Sequence, residues 1–146
     1  MYKILIINGP NLNLLGTREP ELYGKKRFDV FFEKLKTDFF DTKMTYFQSN
    51  IEGELINKLH EVGFDYDGIV FNPAGYTHTS IALADAVAAI TTPVIEVHIT
   101  NTHAREPFRQ RSYIAQYAVG QIVGLGLEGY RLAISYLLKH KIANQS

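Results

Sequence analysis

Apolar residues change their period along this chain in a repeating way. Ile4, Leu5, Ile6 and Ile7 form a short unbroken run, the pattern of a strand buried on both faces. Phe28, Phe31, Phe32, Leu35 and Phe39 then recur at i, i+3, i+4, i+7 and i+11, one stripe of an amphipathic helix. Residues 44–47 predict a second strand, and residues 51–60 a second helix closed by Gly63. Ile69, Val70 and Phe71 predict a third strand, and Thr79-Ser80 supplies a cap for a helix running through Ile81 to Ile90. Pro93 opens a fourth strand over residues 94–98, and residues 119–123 a fifth, before a last helix from Leu127 to about His140. Five strands alternating with helices, joined by right-handed crossovers, make a parallel sheet covered on both faces. The expected fold is α/β: a flavodoxin-like three-layer sandwich, strand order 2-1-3-4-5, with residues 1–146 as a single domain. No linker, internal repeat or low-complexity tract interrupts the pattern.

Composition narrows the function classes. A chain of 146 residues with 46% hydrophobic content buries roughly two thirds of its unfolded surface around one core. Lys plus Arg equals Asp plus Glu at 15 each, so no global field draws the protein to nucleic acid or an anionic membrane. Any basic site is local. The absence of cysteine removes disulfides, thiol nucleophiles and thiolate-bound metals. No basic region followed by a long apolar segment opens the chain, and no run approaches the ~18 apolar residues of a bilayer span, so a cytoplasmic location is expected.

Chemistry-bearing residues collect after the strands. Asn8 and Asn11 follow the first, Gln48 and Asn50 the second, and Asn72, Tyr76 and His78 the third; Glu96, His98, Thr100, Asn101 and His103 end the fourth. All of these positions belong to the carboxyl edge of the sheet, where an open parallel sheet binds its ligand. The segment 8–24, NGPNLNLLGTREPELYG, is the most polar of these loops and leaves one of the most apolar strands. Neither GxGxxG nor GxxxxGK[ST] is present, which disfavours nucleotide binding.

Within this pocket Glu96 and His98, two apart on a strand, face the same side, a spacing that suits a carboxylate orienting an imidazole as general acid. A zinc site at His78, His98 and His103 is the competing reading, set against amide-rich surroundings and the lack of HxH or HExxH. Tyr23 lies five residues after Arg18 in the same loop. A free phenol, with pKa about 10, is a poor base at neutral pH, and a nearby guanidinium favours the phenolate. Arg18 and Arg109 are the expected sources of that field, with a closing loop excluding water. The plainer alternatives are a packed tyrosine ring and a solvated arginine.

The segments ILIINGPNLNLLGTREPELYG, FQSNIEGELI, FNPAGYTHTSIALADA and PVIEVHITNTHAREPFRQRSYIA together resemble the type II 3-dehydroquinate dehydratases, from Tyr2 to about Leu138. The resemblance implies dehydration of 3-dehydroquinate to 3-dehydroshikimate in the shikimate pathway, with no cofactor, metal or Schiff base. It implies that Tyr23 is the base removing a C2 proton anti to the leaving hydroxyl, with Arg18 beside it on a mobile lid. Asn11 helps hold the water that stabilises the enolate, and His98, oriented by Glu96, protonates the C1 hydroxyl. Asn72 and the backbone amides of Ile99 and Thr100 bind the substrate carboxylate, while His78 and Arg109 bind the ring hydroxyls. Assembly as a homo-oligomer, a dodecamer built as a tetramer of trimers, is also implied, with Asp85 reaching into the neighbouring subunit's site.

Two positions depart from the usual pattern of that family. Thr100 stands where many relatives have serine, and Arg27 where many have a small helix-capping residue. Two other classes are weighed on residues. A phospho-receiver module needs acids after strand one and an aspartate after strand three, where this chain has Asn8 and Asn72. A non-catalytic binding or scaffold protein is opposed by the joint presence of Tyr23, Arg18, His98 and Glu96. A Schiff-base mechanism needs a lysine at a strand end; Lys3 and Lys43 are expected to precede their strands.

Overall fold

A computed structural model describes residues 1–145. Five strands, β1 (Tyr2–Asn8), β2 (Thr42–Gln48), β3 (Gly68–Asn72), β4 (Val94–His98) and β5 (Gly120–Val123), form one sheet in the order β2-β1-β3-β4-β5. All four pairings are parallel. Five α-helices accompany them: α1 (Pro20–Tyr23), α2 (Phe28–Asp38), α3 (Glu52–Val62), α4 (Ile81–Ala89) and α5 (Glu128–Gln145).

The pleat explains why the strands read as continuous apolar runs. Ile4 and Ile6 of β1 pack with Phe28, Phe31 and Leu35 of α2 and with Tyr130 and Ile134 of α5. Leu5 and Ile7, pointing the other way, pack with Leu55 and Leu59 of α3 and Leu83 and Val87 of α4. Each strand residue therefore enters one of two cores, and burying such a side chain stabilises the fold by about 1.5–3 kcal/mol. The same alternation decides where polar residues go at the strand ends. Asn8 and Asn72 continue the α2/α5 face, following Ile4, Ile6 and Val70, whereas Glu96 and His98 follow Val94 on the α3/α4 face.

Helix α4 begins as its sequence predicts: the Ser80 hydroxyl accepts from Leu83 N at 2.9 Å and donates to Glu52 of α3. Helix α2 has no such cap. Arg27 occupies the N-cap position with no side-chain cap bond, and its guanidinium pairs with Asp29 at 2.9 Å. Some expected boundaries move. Strands β1 and β2 each extend further towards the amino edge, so Lys3 and Lys43 lie inside strands rather than before them, because edge pairing continues from Tyr2↔Thr42. Both lysines stay at the edge opposite the polar loops. Strand β5 starts at Gly120, α5 starts at Glu128, and α3 continues to Val62.

Candidate active site

The segments that leave β1, β3 and β4 side by side enclose a pocket of about 120 Å³. Their closeness depends on Gly9, whose N–H donates to Asn72 O at 2.8 Å. A β-carbon at Gly9 would stand 2.6 Å from Pro73 O, so only glycine allows the two loops to meet. Two pocket-lining residues other than glycine adopt left-handed backbone, Asn11 at φ 70° and Ala74 at φ 55°. Each is held by an amide side chain: Asn11 N donates to Asn50 Oδ1 at 2.9 Å, and Ala74 N to Asn72 Oδ1 at 3.0 Å. Gln48 braces the first loop by donating to Gly9 O at 3.1 Å and Asn50 Oδ1 at 3.1 Å.

Helix α1, a single turn opened by Pro20, brings Tyr23 to the pocket wall. Its hydroxyl accepts from Arg105 Nη1 at 3.0 Å, and Arg105 Nη1 also reaches Thr100 Oγ1 at 3.2 Å. The Arg18 guanidinium lies over the Tyr23 ring, 4.5 Å from its centroid. Two positive charges thus flank one phenol, an arrangement that stabilises negative charge on its oxygen. Arg109 also lines the pocket, but its Nε donates to Glu106 at 2.8 Å. Arg105, a residue the sequence reading passed over, makes the contact with the hydroxyl.

On the opposite sheet face, Glu96 is fully buried and its Oε2 lies 2.5 Å from His98 Nε2. Burial alone would raise the Glu96 pKa, but hydrogen bonds from His98, Ser112 and Gln121 and the attraction of the imidazole outweigh it, leaving the pKa lowered. Ser112 Oγ donates to both carboxylate oxygens, at 2.8 and 3.0 Å, and Thr77 Oγ1 donates to Oε2 at 3.2 Å. A carboxylate with this many donors stays ionised and fixes the orientation of the imidazole it contacts. Such a pair can work as an oriented acid. His78 stacks on His98 with ring centroids 6.2 Å apart, and its Nδ1 donates to Arg111 O at 2.7 Å. Burial lowers the His78 pKa; the Arg111 carbonyl opposes this, while the charges of His98 and Arg109 add to it.

A third feature lies under the pocket floor. Asn72 Nδ2 donates to the Tyr130 hydroxyl at 2.8 Å, which donates to Asn8 Oδ1 at 2.7 Å; Asn8 Nδ2 in turn reaches Tyr46 Oη at 3.3 Å. Burial raises the pKa of Tyr130 and of Tyr46, so both phenols stay neutral. Among the described residues no group of three or more His, Cys, Asp or Glu side chains is placed to hold a metal ion.

The chain and its fold have counterparts among known proteins. The sequence profile of the family described as Dehydroquinase class II matches residues 2–138. The chain belongs to the class II dehydroquinase family. A 3-dehydroquinate dehydratase of Bacillus licheniformis is 57% identical over 140 residues, covering 94% of this chain and 97% of that one. A second, of Bacillus subtilis, is 49% identical over 147 residues and 97% of each chain. Among solved structures, a type II dehydroquinase from Butyrivibrio crossotus superposes with a TM-score of 0.89 at 44% identity, over 93% of this chain and 97% of that one. A 3-dehydroquinate dehydratase-like protein from Bifidobacterium longum gives 0.66 at 29% identity, over 98% and 99%.

In this class II dehydroquinase the pocket gathers Asn11, Arg18, Tyr23, Asn72, His78, His98, Ile99, Thr100 and Arg109, all named from sequence. Glu96 stands behind His98 rather than in the pocket. Asp85 is on the exposed side of α4 and does not line the pocket of its own chain. His103 is exposed and borders a neighbouring depression instead. Besides Arg105, the sequence reading missed Thr77, Ser112 and Tyr130. Hydroxyl residues in loops and a tyrosine within a helical stripe carry no spacing signal; an arginine in the segment 103–109, where Arg105 and Arg109 flank Glu106, carried a weak one.

Proposed function

We propose that this chain dehydrates 3-dehydroquinate to 3-dehydroshikimate in the shikimate pathway, by anti elimination through an enolate. The observation that supports it most strongly is the Tyr23 hydroxyl, flanked by Arg105 and Arg18, in the same pocket as a His98 held by buried Glu96. A proton alpha to a ketone is weakly acidic, so removing it requires a base and stabilisation of the enolate oxygen. Tyr23, as phenolate, takes the C2 proton, and the C–H electron pair moves into the carbonyl to form the enolate. Neutral donors, a water held by Asn11 among them, stabilise that oxygen without a permanent countercharge. His98 then gives its proton to the C1 hydroxyl, the C–O bond breaks, and water leaves as the enolate collapses to the conjugated enone. The proton on Tyr23 returns to His98 through solvent, closing the cycle.

Asn72, with Ile99 and Thr100, holds the substrate carboxylate, and His78 and Arg109 hold ring hydroxyls. Arg18 rides on the lid that closes over Tyr23. No cofactor takes part in these steps. The chain works in the cytoplasm as a homo-oligomer, a dodecamer built as a tetramer of trimers, in which Asp85 completes a neighbouring subunit's pocket. Its exposed position away from its own pocket is consistent with that role.

Absorbance of the conjugated enone tests the activity. Purified protein mixed with 3-dehydroquinate is expected to give a rise that persists in the presence of chelator and after treatment with borohydride and substrate. Absence of a rise would overturn the activity; loss after borohydride would overturn the tyrosine-base route in favour of a Schiff base.

A further inference from the structure

Asn8 and Asn72 end adjacent strands in register, on the same sheet face, and Tyr130 of α5 places its hydroxyl between them. Tyr130 is fully buried, and nothing in the elimination chemistry uses it. Its ring meets Phe28 and Phe31 edge-on, with centroids 5.0 and 6.2 Å away, so the phenol has no freedom to move off the two asparagines.

The direction of every hydrogen bond here follows from one group. Ala74 N–H can only donate, so the Asn72 atom 3.0 Å away is the carbonyl oxygen. Asn72 therefore turns its NH2 to Tyr130, whose oxygen accepts, and the single phenol proton goes to Asn8 Oδ1. Asn8 is left with its NH2 towards Tyr46. Flipping the Asn72 amide would set NH2 against the Ala74 N–H. One of the two Nδ2 protons of Asn72 is engaged by Tyr130, and Asn72 lines the pocket, 2% exposed. The remaining proton is the polar group it offers to a ligand.

We infer that Tyr130 is a positioning residue: accepting from the Asn72 NH2 while the Ala74 N–H holds the Asn72 oxygen, it locks the amide so that its second N–H is directed at the bound substrate, which selects an acceptor group such as a carboxylate at that point of the pocket. This rests on the dehydratase reading proposed above. Tyr130→Phe keeps the ring contacts and removes the acceptor, so the Asn72 amide is held at its oxygen by the Ala74 N–H alone and its NH2 loses the second point that fixes its direction. A carboxylate is bound in both ground and transition states, so the loss falls on KM more than on kcat.

The test is a double-mutant cycle on 3-dehydroquinate turnover, with wild type, Tyr130→Phe, Asn72→Ala and the double variant, each also checked for its melting temperature. Tyr130→Phe is expected to raise KM about tenfold or more with kcat within about threefold. The double variant is expected to match Asn72→Ala in KM, because Tyr130 acts only through Asn72. Wild-type turnover with additive KM effects, or with an unchanged KM in Tyr130→Phe, would overturn the positioning role and leave the activity standing. Absence of wild-type turnover would overturn the activity itself, and the positioning role with it. Should Tyr130→Phe not fold, Tyr130→Met takes its place in the cycle; it too removes the acceptor while filling the core, and the same KM pattern is expected.

Discussion

Replacing Arg105 with methionine removes one of the two charges at Tyr23 while retaining a side chain of similar length. The guanidinium nitrogen is 3.0 Å from the phenol oxygen, which places the centre of charge about 4 Å away. At an effective dielectric of about 20, a unit charge at that distance is worth about 4 kcal/mol to a phenolate. Two effects reduce this. Arg18 stays over the ring, and water enters the vacated volume; the loss then approaches the ~1.5–3 kcal/mol of a hydrogen bond to a charged group. The expected fall in kcat is therefore about 10- to 150-fold. Arg105→Lys keeps the charge, but its shorter stem and compact ammonium do not place a donor where Nη1 meets both Tyr23 and Thr100, so an intermediate rate is expected. Steady-state kinetics by enone absorbance, with melting temperatures as control, read the effect. A methionine variant that folds normally and keeps kcat within about threefold would refute the reasoning.

Three further outcomes follow from other parts of the structure. Glu96 has a folded pKa below its ordinary 4.5, so its stabilisation is fully present above that value and is lost as pH falls through the folded one. Urea denaturation of wild type and Glu96→Gln from about pH 7 to about pH 3.5 should show a stability gap that narrows below pH 4.5; a constant gap would contradict the lowered pKa. Gly9→Ala drives a methyl to 2.6 Å from Pro73 O and is expected to cost about 1–3 kcal/mol in thermal or urea unfolding while raising KM, and unchanged stability would mean that the loops part freely. Arg27→Ser supplies the missing cap of α2 and is expected to raise the melting temperature by about 2–4 °C, whereas no rise would show that the Arg27–Asp29 pair already compensates.

The succession of elements and both cores were legible because unbroken apolar runs alternate with period-3.6 stripes in this chain: Ile4 to Ile7 and the stripe from Phe28 to Leu35 enter the cores as the pattern demands. The pocket was legible for a related reason, since a parallel sheet sends the residue after every strand to one edge. The single turn of α1 and the 3-10 turns at residues 12–14, 74–78, 102–104 and 107–110 were not, because pieces this short have no period to read. Arg105 and Tyr130 escaped for different causes. Arg105 competes with Arg109 and Arg111 in a loop whose path the pattern does not define, and it reaches Tyr23 across 82 residues of sequence. Tyr130 sits in an apolar stripe where a phenol reads as packing, and only the register of β1 with β3 shows that its hydroxyl meets two asparagines. Asp85 is a case of the opposite kind: one chain gives it no partner in its own pocket, and its proposed role belongs to the assembly.

The central claim is that Tyr23 is the base, and the most direct test is the enone absorbance rate of wild type against Tyr23→Phe under saturating 3-dehydroquinate. The phenylalanine variant keeps the ring beneath Arg18 and loses only the oxygen that Arg105 contacts. A fall in kcat of several orders of magnitude, with the melting temperature held, is the predicted result. A variant that keeps its rate would place the base elsewhere and contradict the account.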